Sequence, residues 1–224
     1  MRTFVRNNGL SLFFGAIFLV ALAGQSFAGL AELNQQQMAE SMARVGYGQY
    51  VTSAEFAVDV AENWQSEYLQ FLLYVLATVW LVQQGSPESK EAHKAGTESE
   101  KDQKIGRYAD TGSPRWAKAG GVRTQVFSWS LGLVMGLIFL GSWLAQWLAG
   151  AASYSRQQLV QREDPVSRLG YLSTSDFWSR TLQNWQSEFL AVGSMAVLSI
   201  YLRQRGSPES KPVGASHEAT GVEG

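Results

Sequence analysis

Residues 63–90 read NWQSEYLQFLLYVLATVWLVQQGSPESK, and residues 184–211 read NWQSEFLAVGSMAVLSIYLRQRGSPESK. The two stretches are displaced by 121 positions and align without a gap. Each is an apolar run that begins with the word NWQSE and ends with the word GSPESK. An internal repeat imposes pseudosymmetry on the fold, so we interpret the chain as a tandem duplication.

The segments upstream of the two words align at the same displacement. Gln25 corresponds to Gln146, and Tyr50 corresponds to Tyr171. Each half contains an apolar run, a polar segment and then the run that NWQSE opens. We therefore expect each half to form a helix, an extramembrane loop and a second helix.

The charge distribution predicts a membrane protein. The averages suit a soluble domain, since 46% of the residues are hydrophobic, 17% are charged and the mean hydropathy is −0.10. Four windows of the sequence nevertheless contain almost no charge. Two have no charged residue, and the apolar runs of the other two contain only Glu67 and Glu188, respectively. About 20 apolar helical residues cross a hydrocarbon core of about 30 Å. The predicted spans lie at about residues 10–31, 64–84, 126–152 and 185–203.

These windows define the predicted fold class and domains. We expect an all-α membrane protein with four transmembrane helices, arranged as two tandem parallel-repeat helical hairpins. Two segments rich in Gly, Ser, Glu and Lys bury too little apolar surface to become ordered. The predicted parts are a first hairpin at 1–90, a flexible cytoplasmic linker at 91–121, a second hairpin at 122–211 and a disordered tail at 212–224.

Lysine and arginine predict the orientation, because they are enriched in cytoplasmic segments. Thirteen of the eighteen lie before residue 10, from Lys90 to Arg123, or from Arg203 to Lys211. The other five lie in the two loops that precede NWQSE. We therefore expect both termini and the linker in the cytoplasm.

The N-terminus also resembles a signal peptide. Arg2 and Arg6 precede an apolar run that ends in Ser26-Phe27-Ala28, a small-x-small cleavage pattern. The corresponding run of the second half lies in mid-chain, where it must be retained to span the membrane. The two runs align through Ala28, which favours a retained helix over a cleaved peptide.

Composition excludes several classes of chemistry. The chain has no cysteine, and its two histidines, His93 and His217, lie in the mobile segments. We find no motif for catalysis, cofactor binding or a metal site, and predict no enzyme activity and no cofactor. The basic residues of the linker alternate with acids, which argues against nucleic acid. Anionic lipid is a better partner, near Arg115, Lys118 and Arg123.

Polar residues of the repeated words form the one candidate site. Glutamates in a spanning segment are costly, and near the predicted outer interface they would face protein, water or a second charge. If the pseudo-axis passes nearby, the two carboxylates share a proton or a cation; otherwise the site fixes helix packing through hydrogen bonds. The residues of this polar or ion site are Asn63, Gln65, Glu67, Asn184, Gln186, Glu188, Gln25 and Gln146.

Two further patterns carry structural predictions. In GSPESK, Gly85 and Gly206 suit a left-handed helix terminus, and the prolines that follow prevent helix continuation. The same letters also fit a Ser-Pro phosphorylation site. Gly132-x-x-x-Gly136 gives the third apolar run a surface that another helix can approach closely.

With NWQSE, an apolar helix and GSPESK present twice, the sequence resembles a bacterial family of small integral membrane proteins of unknown function. The resemblance implies an inner-membrane location and supplies no reaction or substrate. We expect a non-enzymatic structural or interaction component of the membrane or envelope. Its partners would be the bilayer and a second copy or another membrane protein. The alternative is a small proton- or cation-coupled transporter or channel that uses the paired glutamates.

Overall fold

The computed structural model describes residues 2–224, and the predicted first hairpin therefore begins at a residue, Met1, that lies outside the described ones. The described chain is all-helical and contains no β-strand. Its nine α-helices are α1 Arg2–Asn7, α2 Gly9–Ala39, α3 Tyr47–Val51, α4 Ala54–Ala77, α5 Arg115–Ala119, α6 Gly121–Ser128, α7 Ser130–Val160, α8 Arg168–Tyr171 and α9 Ser175–Tyr201. Two short 3₁₀ turns, Ala92–Lys94 and Gly106–Tyr108, lie in the linker.

Two helices, α2 and α7, are long and apolar enough to cross a membrane. Each has 31 residues, and their most apolar windows have mean hydropathies of 1.9 and 1.7. Signal sequences and the core helices of soluble proteins share this length and composition. Only 6% and 11% of the two windows are buried, so neither helix is packed like a soluble core. Helix α2 also continues unbroken past Ala28 to Ala39.

The other two predicted spans do not meet the same test. The second was expected at 64–84, but α4 ends at Ala77 and residues 78–84 form turns and coil. Its apolar helical part therefore measures about 21 Å, which is shorter than a hydrocarbon core. In α9 the corresponding part, 185–201, measures about 25 Å and contains Glu188. By length and composition, two of the described helices are thus suited to spanning, and this test does not support the other two predicted spans.

The chain divides into two compact units, and each takes segments from both halves of the repeat. The first consists of Met1–Ala61, of which Met1 is outside the described residues, and Ala145–Phe177. The second consists of Glu62–Leu144 and Trp178–Gly224.

The core of the first unit consists of aromatic contacts that recur at a displacement of 121. Tyr50 and Tyr171 are 2% and 0% exposed. Their rings lie 5.4 Å from Phe56 and 5.6 Å from Phe177, respectively. Buried aromatic pairs add about 0.5–1.5 kcal/mol beyond the apolar area that they bury.

A glycine of the long helix makes room for each tyrosine. A Cβ atom built at Gly150 would lie 2.5 Å from the hydroxyl oxygen of Tyr171, and one at Gly29 would collide with the hydroxyl of Tyr50. The absence of a side chain therefore lets α3 pack on α2 and lets α8 pack on α7. The signal in the sequence was the aligned pair Ala28-Gly29 and Ala149-Gly150.

In the second unit, the predicted glycine surface of α7 meets α4. A Cβ at Gly132 would lie 3.5 Å from Leu76, and one at Gly136 would lie 3.8 Å from Leu72. These are ordinary van der Waals separations, so the glycines pack against leucine side chains of the neighbouring helix. The Gly-x-x-x-Gly pattern predicts a close approach of another helix backbone, whereas the structure places leucine side chains against these glycines.

Candidate functional site

The first NWQSE word places its glutamine inside the second unit. Gln65 is 0% exposed, and its Oε1 atom accepts a hydrogen bond of 2.8 Å from the indole nitrogen of Trp185. The equivalent glutamine, Gln186, is exposed. The two words therefore have the same sequence but different surroundings.

The two glutamates singled out by the sequence are also placed differently. Glu67 is exposed and Glu188 is half-buried. The negative charge of Glu67 acts on Glu188, so the two side chains lie within electrostatic range of each other. They are neighbours, but burial gives them unequal access to solvent.

The remaining polar residues of the two words make local helix contacts. The hydroxyl of Ser66 donates to the backbone oxygen of Asn63, and that of Ser187 donates to the backbone oxygen of Asn184, at 2.9 Å each. The Asn184 amide also donates to the Arg180 backbone oxygen at 2.9 Å. Such i to i−3 and i−4 bonds satisfy side chains within one helix.

The two remaining predicted site residues lie in the first unit. Gln25 in α2 is half-buried, and Gln146 in α7 is 0% exposed. The eight predicted residues are thus divided between the two units, with Gln25 and Gln146 in one and the six NWQSE residues in the other.

Ion pairs join the two halves of the repeat within each unit. In the first unit, Arg156 Nε lies 2.8 Å from Glu55 Oε1. In the second unit, Arg180 Nη1 lies 2.9 Å from Glu62 Oε2. Two of the five arginines outside the basic segments therefore bind carboxylates of the first half. These two arginines lie outside the segments predicted to be cytoplasmic, and their ion pairs give them a structural role there.

The GSPESK words form two turns of the same geometry. The backbone φ angles of Gly85 and Gly206 are +84° and +82°, which is the left-handed region expected of them. The helices, however, end earlier than that expectation implies. Helix α4 ends at Ala77 and α9 ends at Tyr201, so neither glycine directly caps its helix.

Serine side chains close both turns in the same way. The hydroxyl of Ser89 accepts the backbone N–H of Gln83 at 2.8 Å, and that of Ser210 accepts the backbone N–H of Gln204 at 2.9 Å. Ser89 is 9% exposed and Ser210 is 7% exposed. The serines of GSPESK therefore stabilise the turn by these hydrogen bonds, a role that the sequence alone did not predict for them.

A buried lysine attaches the C-terminal segment to the first turn. Lys211 is 1% exposed, and four backbone carbonyl oxygens lie within hydrogen-bond distance of its ammonium group, which has three N–H donors. The acceptors are Gly85 at 2.6 Å, His217 at 2.9 Å, Ser216 at 3.1 Å and Ala219 at 3.3 Å. In the structure, the predicted disordered tail therefore lies against the first GSPESK turn; its disorder in solution stays a prediction.

The glutamates of the two GSPESK words meet directly. The side chains of Glu88 and Glu209 are hydrogen-bonded to each other, and Tyr74 donates its hydroxyl to Oε2 of Glu88. The hydrogen bond to Glu88 raises the pKa of Glu209 above its usual range, and the negative charges of Glu88 and Glu223 act in the same direction. Two carboxyl groups that lie close together favour a state in which they share one proton.

A cavity of about 400 Å³ lies beside this carboxyl pair. The eight residues that line it are four pairs, each displaced by 121 positions. Equivalent positions of the two repeated segments therefore line the same cavity. The pairs are Gln70 with Ala191, Phe71 with Val192, Tyr74 with Met195, and Glu88 with Glu209.

The paired carboxylates that the sequence predicts are Glu67 and Glu188. Glu88 and Glu209 carried the same signal, since both are repeated at the same displacement. The GSPESK motif that contains them predicts a helix terminator, and this prediction assigns no role to the glutamate side chains. The early end of α4 could not be read from composition, and it allows the turn to fold back to Tyr74.

Comparison of this chain with curated proteins and with solved structures finds no significant match. Comparison with protein families finds one whose match extends over residues 1–222. That extent includes both repeated segments, both long apolar helices and the residues that line the cavity. The chain therefore belongs to the family described as "Domain of unknown function (DUF6766)".

Proposed function

We propose that this protein is a non-enzymatic integral membrane component that acts through helix packing and through partners in the bilayer. The observation that supports it is the exposure of the most apolar helices. In α2 the side chains of Leu10, Phe13 and Phe14 are 74%, 60% and 60% exposed. Such surface is costly in water, at roughly 25 cal/mol per Å², and favourable in lipid or against another membrane helix.

We further propose the four-span topology in a bacterial inner membrane, with both termini in the cytoplasm. Charge supports it. If only α2 and α7 spanned, the eight basic residues from Lys90 to Arg123 would lie on the side opposite the N-terminus. With four spans, thirteen of the eighteen basic residues share the cytoplasmic side. Flanking polar residues and local bilayer thinning would accommodate the short apolar parts of α4 and α9.

Cysteine labelling in intact cells tests this topology, because the natural chain has no cysteine. Four single cysteine substitutions can be placed at exposed positions. They are Gly46→Cys, Gly112→Cys, Gln161→Cys and Gly214→Cys. Gly96 is unsuitable, since it is buried at φ +105° and a Cβ would lie 3.1 Å from Trp80.

Four spans predict that an impermeant thiol reagent labels positions 46 and 161 only. Two spans predict labelling at 46 and 112, with 161 and 214 protected. Labelling of all four positions after membrane permeabilisation is the control for reactivity. Release of the protein from membranes by alkaline carbonate would contradict the integral-membrane proposal. The N-terminal sequence of the purified protein tests the signal-peptide alternative, which places the mature end after Ala28.

Anionic lipid remains the proposed partner of the short helices α5 and α6. Trp116 is 49% exposed, and Arg115, Lys118 and Arg123 are exposed beside it. Basic residues near a cytoplasmic surface contribute about 1 kcal/mol each to anionic lipid binding. Replacing all three with glutamine should lower the amount of anionic lipid that copurifies; equal amounts would contradict the proposal.

A second candidate function is proton- or cation-coupled permeation, which is favoured by the effect of the negative charge of Glu67 on Glu188. The protein in reconstituted vesicles would then pass protons or cations, and Glu67→Gln with Glu188→Gln would abolish the flux. Wild-type vesicles without flux across a broad panel of ions would exclude this candidate. The membrane-component proposal does not depend on the result.

A further inference from the structure

We propose that the cavity between α4 and α9 binds a small organic cation, an ammonium group with apolar substituents, in exchange for a proton. This site goes beyond the membrane role and does not depend on it. The proposal rests on the lining of the cavity, on its volume and on the symmetry that brings two carboxyl groups together in it.

The carboxyl pair supplies the charge complement for a cation. Glu88 and Glu209 are hydrogen-bonded to each other and share the cavity wall. Two ionised carboxylates at hydrogen-bond distance repel each other, so they require a positive charge between or beside them. Among the described residues that line the cavity, none is basic. A proton meets the requirement in the empty cavity, and a cation would replace it.

The other walls suit the apolar part of such a cation. Phe71 and Tyr74 contribute aromatic rings, and Val192 and Met195 contribute aliphatic surface. An ammonium held within about 6 Å of an aromatic ring centroid gains about 0.5–2 kcal/mol. Aromatic and carboxylate groups together are the chemistry that recognises alkylammonium ions. A neutral apolar molecule would leave the carboxylates uncompensated.

Volume and ligand number argue for an organic cation over a metal ion. The cavity of about 400 Å³ lies within the range of about 300–1,000 Å³ typical of small-molecule sites. A divalent ion such as Ca²⁺ takes about six to eight oxygen ligands. Within residues 2–224, no group of three or more His, Cys, Asp or Glu side chains is placed to hold a metal ion.

The exchange conserves charge within the cavity. In the empty cavity the carboxyl pair would hold one proton, and Tyr74 donates its hydroxyl to Glu88. When the cation enters, that proton leaves to solvent and both carboxylates become ionised. Glu223 also acts on Glu209 and adds a further negative charge nearby. Binding is therefore expected to strengthen as pH rises.

Calorimetric titration of the full-length protein in detergent tests the site. The probe is benzyltrimethylammonium, and neopentylbenzene is its neutral carbon isostere. The expected result is saturable 1:1 binding of the cation and not of the isostere. Titration in buffers of different ionisation enthalpy should show release of up to one proton per cation, depending on pH. Lower pH should weaken the binding.

Glutamine variants locate the site. Glu88→Gln and Glu209→Gln should each weaken binding at least tenfold, whereas Glu91→Gln, at a residue that does not line this cavity, should leave it unchanged. Glutamine resembles the protonated carboxyl, so these variants should retain the fold, which circular dichroism verifies. Absence of binding to the wild type would overturn the proposal. Equal binding of the neutral isostere would also overturn it, and so would unchanged binding of the cation by both glutamine variants. Glu88 and Glu209 would then share a proton without binding a cation.

Discussion

Trp185 donates its indole N–H to the side-chain oxygen of Gln65 at 2.8 Å, and this bond joins the second NWQSE word to the first. The equivalent residues with roles exchanged, Trp64 and Gln186, are both exposed. Identical words therefore contribute unequally, because only one glutamine is enclosed in the packed unit. Mutations at equivalent positions should show the difference.

Trp185→Phe should lower the free energy of unfolding by about 1–3 kcal/mol, because it removes the hydrogen-bond donor to a buried amide. The matched control is Trp64→Phe, at a side chain that is 42% exposed, and its effect should be smaller. Thermal unfolding in detergent measures both. Adding Gln65→Leu to Trp185→Phe should recover part of the loss, since the unsatisfied amide is then removed.

Gly150→Ala should destabilise the first unit by about 1–3 kcal/mol, because its methyl group would overlap the buried ring of Tyr171. Gly141→Ala in the same helix is the control, since a Cβ there has no atom within 4 Å among the described residues. Unfolding midpoints should fall for the first variant only. Equal midpoints would show that the glycine and tyrosine do not pack as described.

Reversing the ion pair of Arg180 and Glu62 tests whether charge holds the two halves of the repeat together. Arg180→Glu places two carboxylates at a contact of 2.9 Å and should destabilise the second unit. Adding Glu62→Arg should restore about 1 kcal/mol of the loss, as expected for a partly exposed pair. Arg162→Glu, at an exposed arginine of the loop, is the control for a change of net charge.

Lys211→Met should release the C-terminal segment, because the backbone carbonyl groups that the ammonium contacts would lose their donor. A charge-assisted hydrogen bond contributes about 1.5–3 kcal/mol. Lys90→Met is the repeat-matched control, since Lys90 donates to the single carbonyl of Gly96 at 2.9 Å and is more exposed. Hydrogen exchange should become faster at residues 212–222 in the first variant. Unchanged protection there would mean that other contacts hold the segment.

The Glu209 carboxyl should make stability depend on pH. Its pKa is raised by the hydrogen bond to Glu88, so the folded chain binds this proton more tightly than the unfolded chain does. The resulting stabilisation is complete below the ordinary pKa of glutamate and is lost as pH rises through the raised value. Unfolding midpoints measured from about pH 4 to about pH 8 should show a decline that Glu209→Gln removes, and Glu98→Gln should retain it.

Much of the helical framework was predictable from periodicity and charge. The apolar run at 10–31 lies within α2, and most of the run at 126–152 lies in α7, which begins at Ser130 after a break at Trp129, because a long uncharged run has no stable alternative to a helix in lipid. The second helices were predicted to extend too far. Hydropathy does not detect where α4 stops, since Thr78 to Val82 are as apolar as the helix before them but form turns and coil. The pair Glu67 and Glu188 stays a prediction, and the structure adds a second repeated pair, Glu88 and Glu209, which lines a cavity.

The sequence by itself determined the duplication, the all-helical class, the two long apolar helices and the left-handed glycines of the GSPESK turns. These features follow from local chemistry and from letters that recur at a fixed displacement. Tertiary structure alone decided that Gln65 is buried while Gln186 is exposed, that Lys211 contacts the Gly85 turn, and that Glu88 meets Glu209. The reason is that identical segments have identical local preferences, so only contacts between distant parts of the chain can give them different environments.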